Sequence, residues 1–484
     1  MITFSIALAV LILGYFTYGK LVERLFGAND KNPVPARTLA DGADYVAMPT
    51  WKAFMIQFLN IAGLGPIFGA IMGAKFGTSS YLWIVFGTIF GGAVHDYFSG
   101  MLSLRNKGAS LPVIVGKYLG KGLQNVFTVF AIILLVLVGC VFVSQPADIL
   151  ARLTPDTLDL NFWLVVIFLY YFAATLFPID KLIGNFYPIL GGVLLFMAVG
   201  ILVVLFWNQP DLPEMWNGFG TKYESNSIFP MMFISIACGA VSGFHGTQSP
   251  MMARCVKSEK KGRLVFYGAM VCEGIVALIW AAAATVYYQE NGAGDSAALV
   301  TMNISKEWLG GIGGLIAIIG VVAAPITSGD TALRSARLVV ADTLGFTQKG
   351  IVNRLIISIP LFVITLLVLM TSCQHSEGFA KIWRYFAGSN QLLATFTFWA
   401  ATVYLCKVGK NYAVTLVPAL FMTMVVSTYL MMSPECFEQP WYISYPAAAL
   451  LTLNFLLVLL RWKYHYNMKF PKKTRQKPDK TILQ

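Results

Sequence analysis

The sequence contains few charged residues. Of its 484 residues, 12% are charged and 57% are hydrophobic, whereas about 25% of an average soluble domain is charged. This composition excludes a soluble multidomain enzyme and indicates membrane-spanning helices, each of which needs about 20 apolar residues. The formal charge of +12 does not indicate a nucleic-acid partner, because the basic residues are spread among the loops and concentrate only in 461–480.

Motifs of several enzyme and metal-binding classes are also absent. The seven cysteines form no CxxC pair, which argues against a zinc ribbon or a disulfide framework, although a bond between Cys373 and Cys436 stays open. The P-loop motif GxxxxGKS/T is absent, so the sequence does not predict ATP hydrolysis as the energy source. The hydrolase motif GxSxG and the metalloprotease motif HExxH are also absent. We therefore expect no enzyme activity and no cofactor other than a coupling ion, Na⁺ or H⁺.

Thirteen apolar segments are candidates for membrane spans, so we predict an all-α polytopic protein embedded in a lipid bilayer. When the loops are assigned alternately to two sides, 29 of the 35 Lys and Arg residues fall on one side. The positive-inside rule then places the amino terminus outside and the carboxyl terminus in the cytoplasm. The predicted spans are 2–19, 50–74, 80–104, 125–147, 161–178, 185–207, 228–257, 263–288, 308–330, 351–371, 383–405, 412–432 and 441–461.

Two of these spans contain residues that weaken a helix. In span 2, glycines flank Leu64 before Pro66, and in span 7 the stretch 239–250 is rich in glycine and polar residues. We predict helix restarts at Pro66 and at Ser249, with Ser249 as N-cap and Pro250 in the first turn. Bare backbone at membrane depth must be buried in protein or line a cavity, so the breaks predict a substrate site. The substrate-binding candidates are Ala62, Gly63, Gly65, Pro66, Gly243, His245, Thr247, Gln248 and Ser249.

The two breaks lie five helices apart. Because five is odd, equivalent helices of the two units run in opposite directions, as in transporters with inverted repeats. We predict a LeuT-like core in which spans 2–6 and 7–11 form the two repeats. The predicted units are 1–49 with the peripheral first span, 50–207 and 208–405 as the repeats, and 406–484 with two peripheral spans and a basic tail.

Ionisable residues inside membrane spans are costly and are functional hypotheses by default. Each has a structural alternative: His245 could hold the break by donating to a freed carbonyl, Asp96 could pair with a basic residue near the inner surface, and Glu273 could make a structural hydrogen bond. The candidate proton-coupling residues are His95, Asp96, His245, Glu273 and Asp330.

A candidate sodium site lies near the end of span 9. Ala324, Thr327 and Ser328 resemble the Ala-x-x-Thr-Ser pattern at a sodium site in sodium-coupled members of the LeuT-type fold. Hydroxyls together with carbonyls freed by a broken neighbouring helix suit a hard cation. The alternative is that both hydroxyls bond back to their own helix.

Several longer segments resemble the carbon starvation protein CstA family, and the similarity covers most of the chain. It implies an inner-membrane carrier of bacteria that takes up peptides or a small carboxylate such as pyruvate, driven by protons. This chain is similar to a short member, with His95 where the family pattern has glutamine and Gly246 where it has alanine. The matching segments are 61–69, 92–96, 105–111, 242–254, which includes FHxTQSP, and 327–337.

The prediction that unites these observations is a secondary active transporter with alternating access. We expect the substrate carboxylate to lie against backbone N–H groups at the restarts near Pro66 and Ser249, with His245, Thr247 and Gln248 orienting the rest. The alternatives are a sodium-coupled amino-acid or carboxylate symporter and, from another class, an ion channel or a membrane-bound redox subunit. The oligomeric state is not predicted.

Overall fold

The computed structural model describes residues 1–42, 44–176, 179–348, 350–373 and 378–469. In these ranges every regular element is a helix, which confirms the all-α prediction. Nine helices are long and apolar enough to cross a membrane, and a bent pair adds a tenth span in the described part of the chain. The chain is thus a multi-span membrane protein, and the LeuT-like repeat and the four predicted units stay predictions.

Each predicted span coincides with a helix or with a helix interrupted by a break, and the predicted numbers are kept here. The three predicted spans that are not among the ten, numbers 3, 5 and 11, are also helical. The bounds are Ile2–Phe26, Thr50–Ile61 with Gly65–Ala74, 79–105, Lys121–Leu153, Leu160–Leu176, Ile179–Asn208, Ile228–Ala253, Glu259–Asn291, Ala297–Leu344, Ile351–Cys373, Gly378–Lys407, Ala413–Met432 and Trp441–Lys469. The side chain of Cys373 lies outside the described residues, so the pairing with Cys436 has no test.

Span 2 is broken where the sequence predicts. Its two helices meet at an angle of 53° across residues 62–64, and the second helix begins at Gly65 with Pro66 in its first turn, as predicted. A Cβ at Gly65 would lie 2.1 Å from Cβ of Cys238 in span 7. Only glycine permits this approach, so the breaks of spans 2 and 7 pack directly against each other.

Span 7 is also broken, but its helix restarts earlier than predicted. Residues 237–242 leave the α-helical path, Ser242 is extended with φ −143° and ψ 124°, and a new helix runs over Gly243–Ala253. The predicted restart at Ser249 is wrong, because Pro250 lies inside this helix and the Ser249 hydroxyl donates to the carbonyl of His245 at 2.9 Å.

The side chain that caps this restart comes from span 11. Asn390 Oδ1 accepts from the backbone N–H of Phe244 at 2.7 Å and from the hydroxyl of Ser242 at 3.0 Å. A Cβ at Gly243 would lie 2.3 Å from the Asn390 carbonyl oxygen, so the close approach of span 11 requires glycine there. A cap from a distant helix cannot be found by the local spacing of serine and proline.

Span 9 extends far beyond its predicted end at residue 330. It runs to Leu344, with a kink at Gly310, where φ is 66°. Asp330, Arg334 and Arg337 are buried inside it, so Asp330 is not at the end of the helix as expected. The prediction failed because hydropathy treats charged side chains as loop residues, whereas here they face other helices.

Candidate functional site

Spans 3, 7 and 8 bring four ionisable side chains together at the break of span 7. Nδ1 of His95 lies 2.8 Å from Asp96 Oδ1, and Nδ1 of His245 lies 3.0 Å from Asp96 Oδ2. Nε2 of His245 lies 3.4 Å from Glu273 Oε2. All four side chains are fully buried. We call this group the tetrad; it contains four of the five predicted proton-coupling residues.

Neither predicted alternative for His245 and Asp96 describes these contacts. The His245 ring faces two carboxylates rather than a freed carbonyl, and the partners of Asp96 are two imidazoles rather than a basic residue at the surface. Two imidazoles and two carboxylates within contact distance can exchange protons, which a single structural hydrogen bond cannot do.

The hydrogen-bond pattern limits where protons can reside in the tetrad. With Asp96 ionised, both Nδ1 atoms donate to it, which leaves Nε2 of His245 facing Glu273. One proton must then reside on His245 Nε2 or on Glu273, because otherwise a second unpaired carboxylate charge would be buried. His245 Nε2 and both Glu273 oxygens have no other hydrogen-bond partner in the described part of the chain.

Packing contacts connect the tetrad to the break of span 7. Gly274, next to Glu273, packs so tightly on Thr88 that a Cβ would lie 2.6 Å from Thr88 Oγ1. Thr88 donates in turn to the carbonyl of Gly239 at 3.3 Å. A change in charge at Glu273 can therefore act on the backbone of the break through one intervening side chain.

Asp330 lies in a separate buried cluster. Its Oδ2 accepts from the hydroxyls of Tyr170, at 3.1 Å, and of Tyr187. Arg334, one turn further along span 9, donates to the carbonyl of Ala174 at 2.6 Å. Its Nε and Nη1 atoms have no hydrogen-bond partner among the described residues. Sequence reasoning placed Arg334 in a loop and missed this cluster, although the i, i+4 spacing of Asp330 and Arg334 was a signal for it.

Of the two candidate sodium ligands with hydroxyl groups, one bonds back to its own helix and the other contacts a different span. The Thr327 hydroxyl bonds back to the carbonyls of Ala323 and Ala324 at 3.1 and 2.9 Å, as in the alternative. The Ser328 hydroxyl instead donates to the carbonyl of Leu59 at 3.1 Å, just before the break of span 2. Span 9 and span 2 are therefore in contact through the hydroxyl oxygen of Ser328 and the carbonyl oxygen of Leu59.

The substrate candidates at the two breaks are nearly all fully buried. In span 7 the Thr247 hydroxyl donates to the carbonyl of Phe244 at 2.6 Å. Gln248 donates to Thr247 at 3.1 Å and accepts from Ser335 of span 9 at 3.4 Å. The structure thus brings the candidates of both spans to one region. The buried set is Ala62, Gly63, Gly65, Pro66, Gly243, His245, Thr247, Gln248 and Ser249.

Sequence reasoning missed four buried amides around the breaks. In span 11, Asn390 caps the restart, and Gln391 donates to the carbonyl of Val241 at 3.0 Å. In span 2, Gln57 and Asn60 are fully buried, and their amide atoms have no hydrogen-bond partner among the described residues. Buried amides without partners are costly, so Gln57 and Asn60 are further candidates for substrate contact. Polar residues within apolar spans were the available signal.

An open vestibule leads toward the breaks from the side predicted to be outside. This cavity of about 770 Å³ is lined in part by Phe68, Ser235 and Trp383. Its charged residues are three basic and three acidic, namely Lys75, Arg152, Arg384, Asp148, Glu224 and Asp295. A cavity of this size and mixed charge suits a small zwitterionic or anionic molecule.

The family model described as carbon starvation protein CstA matches residues 1–158, 151–315 and 293–429. This chain belongs to the carbon starvation protein CstA family. Named CstA-family relatives include the peptide transporters CstA of Campylobacter jejuni and of Bacillus subtilis, each 26% identical. The alignments cover 86% and 87% of this chain and 77% and 88% of those proteins.

A third relative is an uncharacterized membrane protein of Haemophilus influenzae. It is 41% identical over 340 residues, which are 60% of this chain and 92% of that protein. Among solved structures, the manganese transporter of Eremococcus coleocola matches with a TM-score of 0.52 and 11% identity, over 89% of this chain and 99% of that chain. This CstA-family chain therefore has the fold of a membrane transporter.

Proposed function

We propose that this protein is a proton-coupled secondary transporter that imports peptides, or a small carboxylate such as pyruvate, across the bacterial inner membrane by alternating access. The observation that carries the proposal is the buried tetrad, in which Nε2 of His245 faces the carboxyl group of Glu273 beside a broken helix. The names of the curated relatives, peptide transporter CstA, support the substrate class.

The coupling follows from the cost of burying charge. With its proton, the tetrad carries a net charge of −1, located on Asp96 between two imidazoles. Without that proton it would carry −2 in a site closed to water, which is strongly unfavourable. Release of the proton therefore requires water to reach Glu273, and a motion at the break of span 7 provides that access.

The vestibule and the contacts on the opposite side of the protein are consistent with an outward-open conformation of the transport cycle. The vestibule is open on the side predicted to be outside, whereas an ion pair joins helices on the predicted cytoplasmic side. Nε and Nη2 of Arg105 contact the two oxygens of Glu259 at 2.8 and 3.0 Å, and Nη1 donates to the hydroxyl of Tyr404 at 2.6 Å. These contacts join spans 3, 8 and 11, and they must break for the substrate to leave inward.

Sodium coupling is the second candidate, and one contact favours it. Ser328 Oγ and the Leu59 carbonyl lie together at the break of span 2, and freed carbonyls with hydroxyls suit Na⁺. It is the weaker candidate because Thr327 bonds to its own helix.

The test is uptake of a labelled dipeptide, and separately of labelled pyruvate, into liposomes that contain the purified protein. We expect accumulation when a proton gradient is imposed and not when only a sodium gradient is imposed. Accumulation driven by sodium alone would overturn proton coupling and favour Ser328. If neither gradient drives uptake of either compound, the substrate assignment is wrong.

A further inference from the structure

A groove on the perimeter of the protein lies between spans 11, 12 and 13 and the start of span 4. It has a volume of about 440 Å³, and its wall on span 13 runs from Leu451 past Phe455 to Trp462. The eleven residue steps from Leu451 to Trp462 extend over about 16 Å of helix. This length is about half of the roughly 30 Å of hydrocarbon in a bilayer, so the groove covers one leaflet.

The walls of the groove suit hydrocarbon. Most lining residues are aliphatic or aromatic, and the hydroxyls among them are satisfied within the protein. Thr395 donates to the Gln391 carbonyl at 2.9 Å, and Thr423 accepts from the indole N–H of Trp399 at 3.0 Å. Since these groups need no further partner, the interior of the groove favours an acyl chain over a polar ligand.

One end of the groove is strongly basic. Tyr118 and Trp462 line this end, and Nζ of Lys407 lies 5.4 Å from the centre of the Tyr118 ring. Lys117 is next to Tyr118 in the sequence, and its Nζ donates to Oδ1 of Asn106 at 2.7 Å. An anion beside Lys117 and Lys407 would relieve the repulsion between their positive charges. Arg461 is exposed next to Trp462.

The sequence around this end contains no acidic residue. The segments 106–121, 406–412 and 461–469 contribute lysine and arginine but no aspartate or glutamate. The basic end is opposite the vestibule, because Leu123 of span 4 and Val403 of span 11 line the groove, while the other ends of these spans reach the vestibule at Arg152 and Trp383. It is therefore on the predicted cytoplasmic side, where tryptophan, tyrosine and lysine mark the membrane interface.

We propose that this groove is a binding site for one anionic phospholipid of the leaflet on the basic side. An acyl chain fills the groove between spans 11, 12 and 13, and the phosphate contacts Lys117, Lys407 and Arg461. The site is separate from the vestibule and the tetrad, and it does not depend on the transported substrate.

The test compares lipids that differ only in headgroup charge. Delipidated protein in detergent is titrated with dioleoyl phosphatidylglycerol or dioleoyl phosphatidylcholine, and bound lipid is counted by native mass spectrometry. We expect phosphatidylglycerol to bind between about fivefold and thirtyfold more tightly, which corresponds to one or two lysines near a phosphate. Replacing both lysines (Lys117→Gln, Lys407→Gln) should reduce this preference to at most about fivefold, the share of the remaining Arg461, and leave phosphatidylcholine binding unchanged.

Two further variants distinguish the groove from general attraction to a basic surface. Leu451→Trp fills the lipid-facing side of the groove and should weaken the binding of both lipids. The control Lys20→Gln, Arg24→Gln removes two exposed charges from the same side of the protein, in span 1, and should keep the preference. Equal binding of the two lipids by the unchanged protein would overturn the proposal. So would a dimer that Leu451→Trp dissociates.

Discussion

Gly246 in span 7 lies against the imidazole of His95 in span 3. A Cβ at Gly246 would lie 3.1 Å from Cε1 of His95 and 2.6 Å from Cδ2 of Leu111. From the resemblance to the CstA family we expect glutamine in place of His95 and alanine in place of Gly246. The contact links the two positions, because the imidazole ring occupies the space that a methyl group at position 246 would need.

The contact predicts that substitutions at the two positions are coupled. Gly246→Ala alone should lower the free energy of unfolding by about 1–3 kcal/mol, because it overpacks a buried site. Adding His95→Gln should recover part of that loss, because the flexible amide can move away from the new methyl group. Thermal unfolding of the two single variants and the double variant in detergent measures the coupling. Strictly additive effects would show that the ring and the glycine do not share this space.

Glu273→Gln should separate transport from proton coupling. The amide keeps the shape of the carboxyl group but cannot release the proton that the tetrad holds. Accumulation driven by a proton gradient should fall at least tenfold, while exchange of labelled for unlabelled substrate across the membrane should continue.

Thr285→Val is the matched control for Glu273→Gln. Thr285 is a buried polar residue of the same span that donates to the carbonyl of Ala281, so its replacement should leave both activities intact. Full gradient-driven accumulation by the Glu273→Gln protein would mean that the tetrad does not carry the coupling proton.

Asn390→Ala should destabilise the restart of span 7. It leaves the Phe244 N–H and the Ser242 hydroxyl without their acceptor in a buried site, and we expect a loss of about 1–3 kcal/mol. Thr397→Val should cost less, because among the described residues the buried hydroxyl that it removes bonds only to the carbonyl of Leu393 in its own helix. Unfolding temperatures of the two purified variants provide the comparison, and an equal loss would argue against Asn390 as the cap.

Glu259→Gln should favour opening of the side closed by Arg105. It removes the charge that binds Arg105, while the Tyr404 contact remains, so closure becomes weaker. We expect faster modification of Cys255, which is fully buried and lies four residues before Glu259 in the sequence, by a charged thiol reagent applied from that side. The modified peptide is quantified by mass spectrometry.

The control for Glu259→Gln is a variant that breaks a second ion pair on the predicted cytoplasmic side. Glu23→Gln breaks the contact between Glu23 and Arg263 at 2.8 Å, which does not join span 3 to span 11. It should leave the modification rate of Cys255 close to that of the unchanged protein. Equal acceleration by both variants would indicate general loosening rather than a specific closure.

Glu214, on the side predicted to be outside, makes the stability of the protein depend on pH in the acidic range. Partial burial opposes its ionisation, but hydrogen bonds from the amino terminus and Thr3 lower its pKa from the ordinary 4.5 to about 2. Its carboxylate also accepts from the backbone N–H groups of Ile2 and Thr3 at 2.8 and 2.7 Å. A group with a lowered pKa stabilises the fold above its ordinary pKa, and this contribution is lost as the pH falls from about 5 to 2.

The change Glu214→Gln tests this dependence on pH. Compared with the unchanged protein, the variant should unfold at a lower temperature at pH 7 and should lose less stability between pH 5 and pH 3. Glu224→Gln in the same loop is the control, because its contacts are to Asn226 nearby. The prediction fails if the Glu214→Gln protein and the unchanged protein lose stability in parallel on acidification.

Much of the architecture was predictable because it rests on local properties of the chain. The apolar length of each span sets the number and order of the helices, and Gly63, Gly65 and Pro66 weaken span 2 wherever it packs. The inventory of buried ionisable residues was also predictable, because few charged residues occur in apolar segments. Four of the five proton-coupling candidates lie within one cluster.

What the tertiary structure alone decided is which of these residues meet. Asp96 and His245 are 149 residues apart in sequence, and only the packing of span 3 on span 7 brings them into contact. The restart at Gly243 depends on Asn390 from span 11, and the burial of Asp330 and Arg334 depends on the helices around span 9. Spacing along the chain records neither contact, because capping and burial of charge are set by partners in space.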